Sequence, residues 1–187
     1  MPAFDHFGFL APHYDRMAKP QPPLDLLEHL NLNSNSNVLD VGGGTGRVAQ
    51  TLLPYSASVT VVDLSFKMLM EARLKPGLRV SMAGSEDLPY PSESFDAIIM
   101  VDAFHHVIDQ QLTLNELFRV LKPGGTIVVK EPDISTFAVK LIAIFEKLLL
   151  MRTHIISAEQ IASMFEICCK EARVYRKEYT VWVVVKK

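Results

Sequence analysis

The sequence has little of what would assign it quickly. Its two cysteines, Cys168 and Cys169, are adjacent, so they form no disulfide framework and fit a chain that works reduced inside the cell. It has no basic surplus: 19 Lys and Arg stand against 21 Asp and Glu, a net charge of -2, which excludes broad electrostatic adhesion to nucleic acid. Lys140, Glu146 and Lys147 interrupt the most apolar stretch, Ile134 to Met151, so no membrane-spanning helix is expected. Pro2, Asp5 and His6 near the start predict no secretory leader, and a cytoplasmic location follows. His105 and His106 have no third ligand at zinc spacing. Internal repeats and low-complexity tracts are absent, and 187 residues suit one domain able to bury a core without disulfides.

Glycine is scarce too, nine in all, yet Gly42, Gly43, Gly44 and Gly46 crowd one turn. They follow a short buried strand, Val38 to Val41, and precede a helix predicted from about Thr45 to Leu53, where Pro54 stops it. Such a turn aims backbone N–H groups at a ligand. The dinucleotide pattern would need glycine where Arg47 stands, and a P-loop would need a Gly-Lys-Ser/Thr ending that is missing. Next, Ala57 to Leu64 reads as strand two, with Asp63 at its carboxyl end, where one carboxylate can accept hydrogen bonds from two ribose hydroxyls.

Asp40, Gly42, Gly44 and Gly46 form D-x-G-x-G-x-G, which resembles motif I of the class I S-adenosylmethionine-dependent methyltransferases. Two further segments, VTVVDLS and RVLKPGG, are similar to the same family, and the likeness covers nearly the whole chain from about Tyr14. It implies an α/β fold: a Rossmann-like, doubly wound, seven-stranded sheet, mostly parallel, with a C-terminal antiparallel hairpin. The implied cofactor is S-adenosylmethionine. In the family, Asp40 and the glycines, Gly43 included, would meet its methionine end, Asp63 with Leu64 its ribose side, and Met68 its adenine. The family's acid for the adenine amino group is replaced here by Gly84, leaving Ser85, Glu86 or Asp87 to supply the contact. Val101, closing strand four, would line the same crevice. Tyr14 belongs to an opening segment, residues 1–23, that resembles a cover folding over the cofactor.

The remaining elements follow from pattern. Leu24, Leu27 and Leu30 share a helical face after Pro23. Ser65 caps a helix, Phe66 to Leu74, and strand three is Leu78 to Met82. Phe95 to Val101 reads as a fully buried strand. Leu114, Leu117, Phe118 and Leu121 form one face of a helix over Gln110 to Leu121, and strand five is Thr126 to Lys130. Residues 134–156 are an insertion with an apolar helix, suited to covering an acceptor or to meeting a membrane surface or a second copy. A helix from Ser157 to Lys170 precedes a hairpin turning near Lys177-Glu178.

Methyl transfer from a sulfonium needs no acid to help the leaving group, so no catalytic triad is expected. His105 or His106 lies near the acceptor, and His106 is the choice for a general base should the acceptor need deprotonation. No Asn/Asp-Pro-Pro-Tyr/Phe/Trp follows strand four. With the apolar insertion this favours a small, partly hydrophobic acceptor, as in the family's quinone and sterol ring branch. Two alternatives come from other classes: a nicotinamide-dependent reductase, disfavoured by Arg47, and a cofactor-binding regulatory or partner-activating protein without turnover.

Overall fold

Residues 11, 15, 24–135, 154, 156–165 and 171–187 are described by the computed structural model. Tyr14, Pro23, residues 136–153 of the apolar insertion, and the cysteine pair lie outside them. The elements in chain order are α1 (Leu24–Leu27), β1 (Asn37–Val41), α2 (Ala49–Leu52), β2 (Ser58–Asp63), α3 (Phe66–Arg73), β3 (Leu78–Met82) and β4 (Phe95–Val101). They continue with α4 (Gln110–Val120), β5 (Leu121–Pro132), α5 (Ala158–Phe165), β6 (Ala172–Lys177) and β7 (Thr180–Lys186). One sheet holds seven strands in the order β3-β2-β1-β4-β5-β7-β6. Its first five are mutually parallel, and β7 pairs antiparallel with both β5 and β6.

The β-branched runs are buried on both faces because helices cover both. Alternate residues divide the core: Leu39, Val41, Ile98, Met100, Ile127 and Val129 pack with Leu114 and Leu117 of α4 and Ile161 and Phe165 of α5. Val38, Val59, Val61, Ile99 and Val128 pack on the other face with Leu52, Leu69 and Ala72. The chain runs outward from β1 to β3, then returns to lay β4 on the other side of β1. That reversal opens a crevice at the carboxyl ends of β1 and β4, where ligands bind in open sheets of this kind.

Several elements differ from the pattern. Leu24 is 65% exposed and Leu26 takes a buried place in its stead, while Leu30 is buried as expected; a helix of four residues is too short for a periodic face to govern it. Leu121 begins β5 and does not close the face of α4. The helix after the glycine turn starts at Ala49 rather than Thr45, because Gly44 and Gly46 have φ of +56° and +72°, outside helical space. Pro54 falls in a 3-10 turn, Leu53–Tyr55. Strand five is longer than Thr126 to Lys130: Leu121 already pairs with Phe95, and the register shifts before Thr126 pairs with Ala97. Elsewhere local chemistry holds as expected. Ser65 accepts from the Met68 N–H, Ser157 and Gln160 exchange capping bonds, and Glu178 turns the hairpin at φ +56°.

Arg119 fastens the approach to β4. Its guanidinium grips Glu116 through two bonds of 2.7 Å and donates to the carbonyls of Tyr90 (2.8 Å) and Leu88 (3.0 Å). Glu116 also accepts the Leu88 N–H at 3.0 Å, and the Arg119 hydrogen bond holds its carboxyl below the usual value. Arg119→Ala is therefore expected to cost about 1–3 kcal/mol, lowering the melting temperature by about 2–4 °C per kcal/mol. Arg119→Lys should not restore it, since an ammonium has no fork to span both partners; thermal melts of the three proteins check this.

Candidate functional site

The glycine turn is stitched to the end of β2. Gly42 and Gly43 both donate to the Val62 carbonyl, at 2.7 and 3.3 Å. Gly44 donates to Asp63 Oδ2 at 2.9 Å, and Ser65 donates to Asp63 Oδ1 at 2.8 Å. Both carboxylate oxygens of Asp63 thus take a backbone donor, one from each side, and the acid locks the turn to the end of β2. Two of the glycines are required by close approach. A Cβ on Gly42, at φ +68°, would stand 2.6 Å from the Ala103 Cβ, and one on Gly43 would stand 2.6 Å from the Asp40 carboxyl. The loop after β4 thus closes on the turn from one side while Asp40 fills the space beneath it.

Asp40 is only 1% exposed, and no group stands in regular hydrogen-bond geometry to either of its carboxyl oxygens. Burial first, then the charge of Asp63, pushes it up to about 7, with Arg47 and the Ala49 N–H acting the other way. The Arg47 Nε is buried without a partner as well. Buried polar atoms left unmet beneath a glycine turn mark a place where a polar ligand completes the bonding. Carboxylates accept, so an ammonium could be met by Asp40 and a vicinal diol by Asp63.

Other expected contacts divide. Leu64 is 66% exposed at the rim, beside Gly84. Met68 is buried, its sulfur 3.9 Å from where a Gly44 Cβ would be, so it underlies the turn. Ser85 is buried and shares a 2.9 Å hydrogen bond with Thr113, whereas Asp87 is exposed. Glu86 folds back, its Oε2 3.1 Å from where a Gly84 Cβ would be, while its Oε1 accepts the N–H of Ile108 at 3.0 Å. Of the three candidates, Glu86 brings a carboxylate to the position where the acid is missing. Val101 ends β4, half-buried opposite Lys130. Asp15, next to Tyr14, accepts from Thr45 Oγ1 at 2.5 Å and pairs with Lys75 at 2.7 Å, so the opening segment meets the turn.

Glu131 escaped the sequence reading, which placed the stretch from Asp102 to Val107 at the crevice without giving Asp102 a role. Asp102 has φ +52° and is open to solvent, yet protein atoms crowd it, as in a recess. That crowding, followed by the charge of Glu131, raises its carboxyl. Glu131, at the end of β5, is 3% exposed and pairs with His105 Nδ1. Its other oxygen accepts the N–H groups of Ala103 (3.0 Å) and Phe104 (2.8 Å). Arg47 enters the sequence reading only as the residue that breaks a spacing. The signal for Glu131 was its place at a strand's carboxyl end, the rule that identified Asp63. Among the described residues no group of three or more His, Cys, Asp and Glu could hold a metal ion.

Because burial pushes the Asp40 carboxyl up to about 7 from its ordinary 3.8, the folded state holds the extra proton between those values. Its ionisation opposes folding, so this group's effect on stability is nil below about pH 4 and grows unfavourable as pH rises to 7. Asp40→Asn is expected to flatten that decline and to exceed wild type by on the order of a few kcal/mol at pH 8. Denaturant melts of the ligand-free proteins across pH 4–8 check it; parallel profiles would refute it.

Known proteins share part of this sequence and the fold. Residues 39–129 match the model of the methyltransferase domain. The chain is 41% identical over 105 residues to a demethylmenaquinone methyltransferase of Tropheryma whipplei, covering 54% of this chain and 44% of that protein. It is 36% identical over 107 residues to a ubiquinone/menaquinone biosynthesis C-methyltransferase of Geotalea daltonii, covering 52% and 46%. The chain thus spans less than half the length of these two relatives. An S-adenosylmethionine-dependent methyltransferase structure from Thermotoga maritima superimposes with a TM-score of 0.78 at 24% identity, covering 95% of this chain and 96% of that one; this speaks for the fold. With the glycine turn bonded to the strand-end acid and the matched stretch built around both, residues 39–129 of this chain are similar to the methyltransferase domain.

Proposed function

We propose that this chain transfers a methyl group from S-adenosylmethionine to a ring carbon of a small, partly hydrophobic acceptor of the quinol class. The observation that carries the cofactor half is the Gly44 N–H to Asp63 bond at 2.9 Å, which sets the strand-end carboxylate against the glycine turn. Asp40, Asp63 and the glycines would hold the amino-acid and sugar parts, with Leu64, Met68 and Glu86 toward the base. The acceptor half is drawn from the names of the relatives, which act on demethylmenaquinone and in ubiquinone and menaquinone biosynthesis. A net charge of -2 suits a small neutral acceptor better than nucleic acid.

The chemistry asks little of the protein beyond placement. The leaving group departs as a neutral thioether, so alignment and exclusion of water are the main tasks. Holding donor and acceptor together supplies about 7–11 kcal/mol. No helix among the described residues is long and apolar enough to cross a membrane. We place the protein in the cytoplasm, with the apolar run 134–151 as the stretch suited to meeting a membrane surface or a second copy.

Calorimetric titration with S-adenosylhomocysteine tests the cofactor half. Binding is expected for wild type, and Asp63→Ala should weaken it by about 1.5–3 kcal/mol, the scale of hydrogen bonds to a charged group; equal affinity would remove Asp63 from the site. The acceptor half is tested with methyl-labelled S-adenosylmethionine and reduced demethylmenaquinone. Label is expected in the lipid extract, and label confined to an RNA or protein fraction would overturn the assignment.

A further inference from the structure

We propose that the outer face of α3, with the adjoining ends of β2 and β3, docks on an anionic lipid surface. Met68, Leu69 and Ala72 of the helix are buried against the sheet, and on a helix turned to water the residues opposite them should be polar. Instead Phe66, Met70 and Leu74, which share one stripe at a spacing of four, are 62%, 42% and 74% exposed. The apolar surface continues past the start of the helix. Met82 pairs with Asp63 across β3 and β2 and is exposed, and exposed Leu64 reaches to 3.8 Å from where a Gly84 Cβ would be. Single exposed apolar residues are ordinary, whereas a contiguous run of them marks an interaction site.

Charge selects the occupant. The chain as a whole is negative, at -2, but from Leu64 to Met82 four basic residues stand against one acid. Lys67, Arg73 and Arg79 are exposed, and none of the three has a carboxylate partner among the described residues. Lys75 is taken by Asp15 and by the Thr45 carbonyl, and the one acid, Glu71, is half-buried. Helical geometry sets Arg73 on one flank of the stripe and Lys67 on the other. An apolar stripe between cations is the arrangement of helices that lie in a bilayer interface, with the apolar side chains in the acyl boundary and the basic groups on the phosphates.

Two other occupants fit less well. A second copy of this chain, meeting the same face about a two-fold axis, would set Lys67, Arg73 and Arg79 against their own kind. A partner strand added to β3, the terminal strand of the sheet, would meet only five residues, exposed Arg79 among them, and short charged edges are how sheets refuse addition. A lipid surface needs neither symmetry nor register. It also suits the place, because Leu64, Met82 and the start of α3 lie at the carboxyl ends of their strands, on the rim of the crevice. Exposed Ile108 stands across Glu86, whose Oε1 accepts its N–H at 3.0 Å. The crevice thus opens beside the docking face, and a lipid-soluble acceptor passes from bilayer to methyl donor without crossing water. That use rests on the methyl-transfer reading above; the face itself rests on its own residues, separate in sequence from the apolar run 134–151.

The test is flotation of the full chain with vesicles. Binding is expected on vesicles of equal parts phosphatidylglycerol and phosphatidylcholine, weaker by about tenfold or more on phosphatidylcholine alone and weakened by added salt. Phe66→Gln combined with Leu74→Gln should lower the partition coefficient by about tenfold or more with an unchanged thermal melt, since both side chains are exposed. Lys67→Gln, Arg73→Gln and Arg79→Gln should each cost about fivefold on the anionic vesicles and nothing on the neutral ones. With reduced demethylmenaquinone carried in the anionic vesicles, the Phe66→Gln/Leu74→Gln protein should transfer methyl more slowly in proportion, while a demethylated naphthohydroquinone without the tail is methylated in solution at the wild-type rate. Wild-type protein that stays off both kinds of vesicle would overturn the proposal, as would full vesicle binding by the Phe66→Gln/Leu74→Gln protein. A wild-type dimer in sedimentation that becomes a monomer in that variant would overturn it in favour of a second copy. Wild-type protein that binds the anionic vesicles through this face but methylates neither acceptor would sink the acceptor reading and leave the docking face standing.

Discussion

The hydrogen bond from the Gly44 N–H to the Asp63 carboxylate is the joint on which the crevice depends. It joins the loop leaving β1 to the end of β2, and with the Ser65 N–H it fixes both carboxylate oxygens in direction. Everything around it is arranged to leave that joint short. Gly42 lets the β4 loop approach, Gly43 makes room for Asp40, and Met68 supports the turn from below. A bulkier turn would separate the backbone donors from the acid, and the two halves of a ligand site would no longer share one wall.

What was legible in the sequence was legible because its cause is local. The end of β4 follows from the unbroken apolar run Ala97 to Val101 and the start of β3 from the turn residues Lys75-Pro76-Gly77 before it, and the Ser65 cap and the Glu178 turn follow from single side chains and their neighbours. The glycine turn and Asp63 could be found because one strand and one helix separate them, a spacing the fold repeats. β5 was harder, since Lys122-Pro123-Gly124-Gly125 has the composition of a turn while Leu121 already pairs with Phe95 through a register shift. Leu24 misled because four residues do not make a periodic helix.

The Glu131–His105 pair was out of reach for a different reason. Twenty-six positions separate the two residues, and only the parallel register of β4 with β5 brings their strand ends together. No spacing rule encodes that meeting. Glu86 illustrates the converse: its neighbour Gly84 was visible as a departure from the family pattern, but that the carboxylate folds back over the vacancy depends on the N–H groups of Ile108 and Asp109 holding it there.

Asp40 carries one further consequence. If, as proposed, this buried carboxyl meets a cationic amino group once the crevice is filled, its raised affinity for a proton makes capture of the ligand an acid-releasing event. Filled and vacant forms then differ in proton content, and uptake of the methyl donor becomes more favourable in mildly alkaline surroundings than in acidic ones. A single buried side chain would thereby let the acidity of the medium set how readily the protein charges itself.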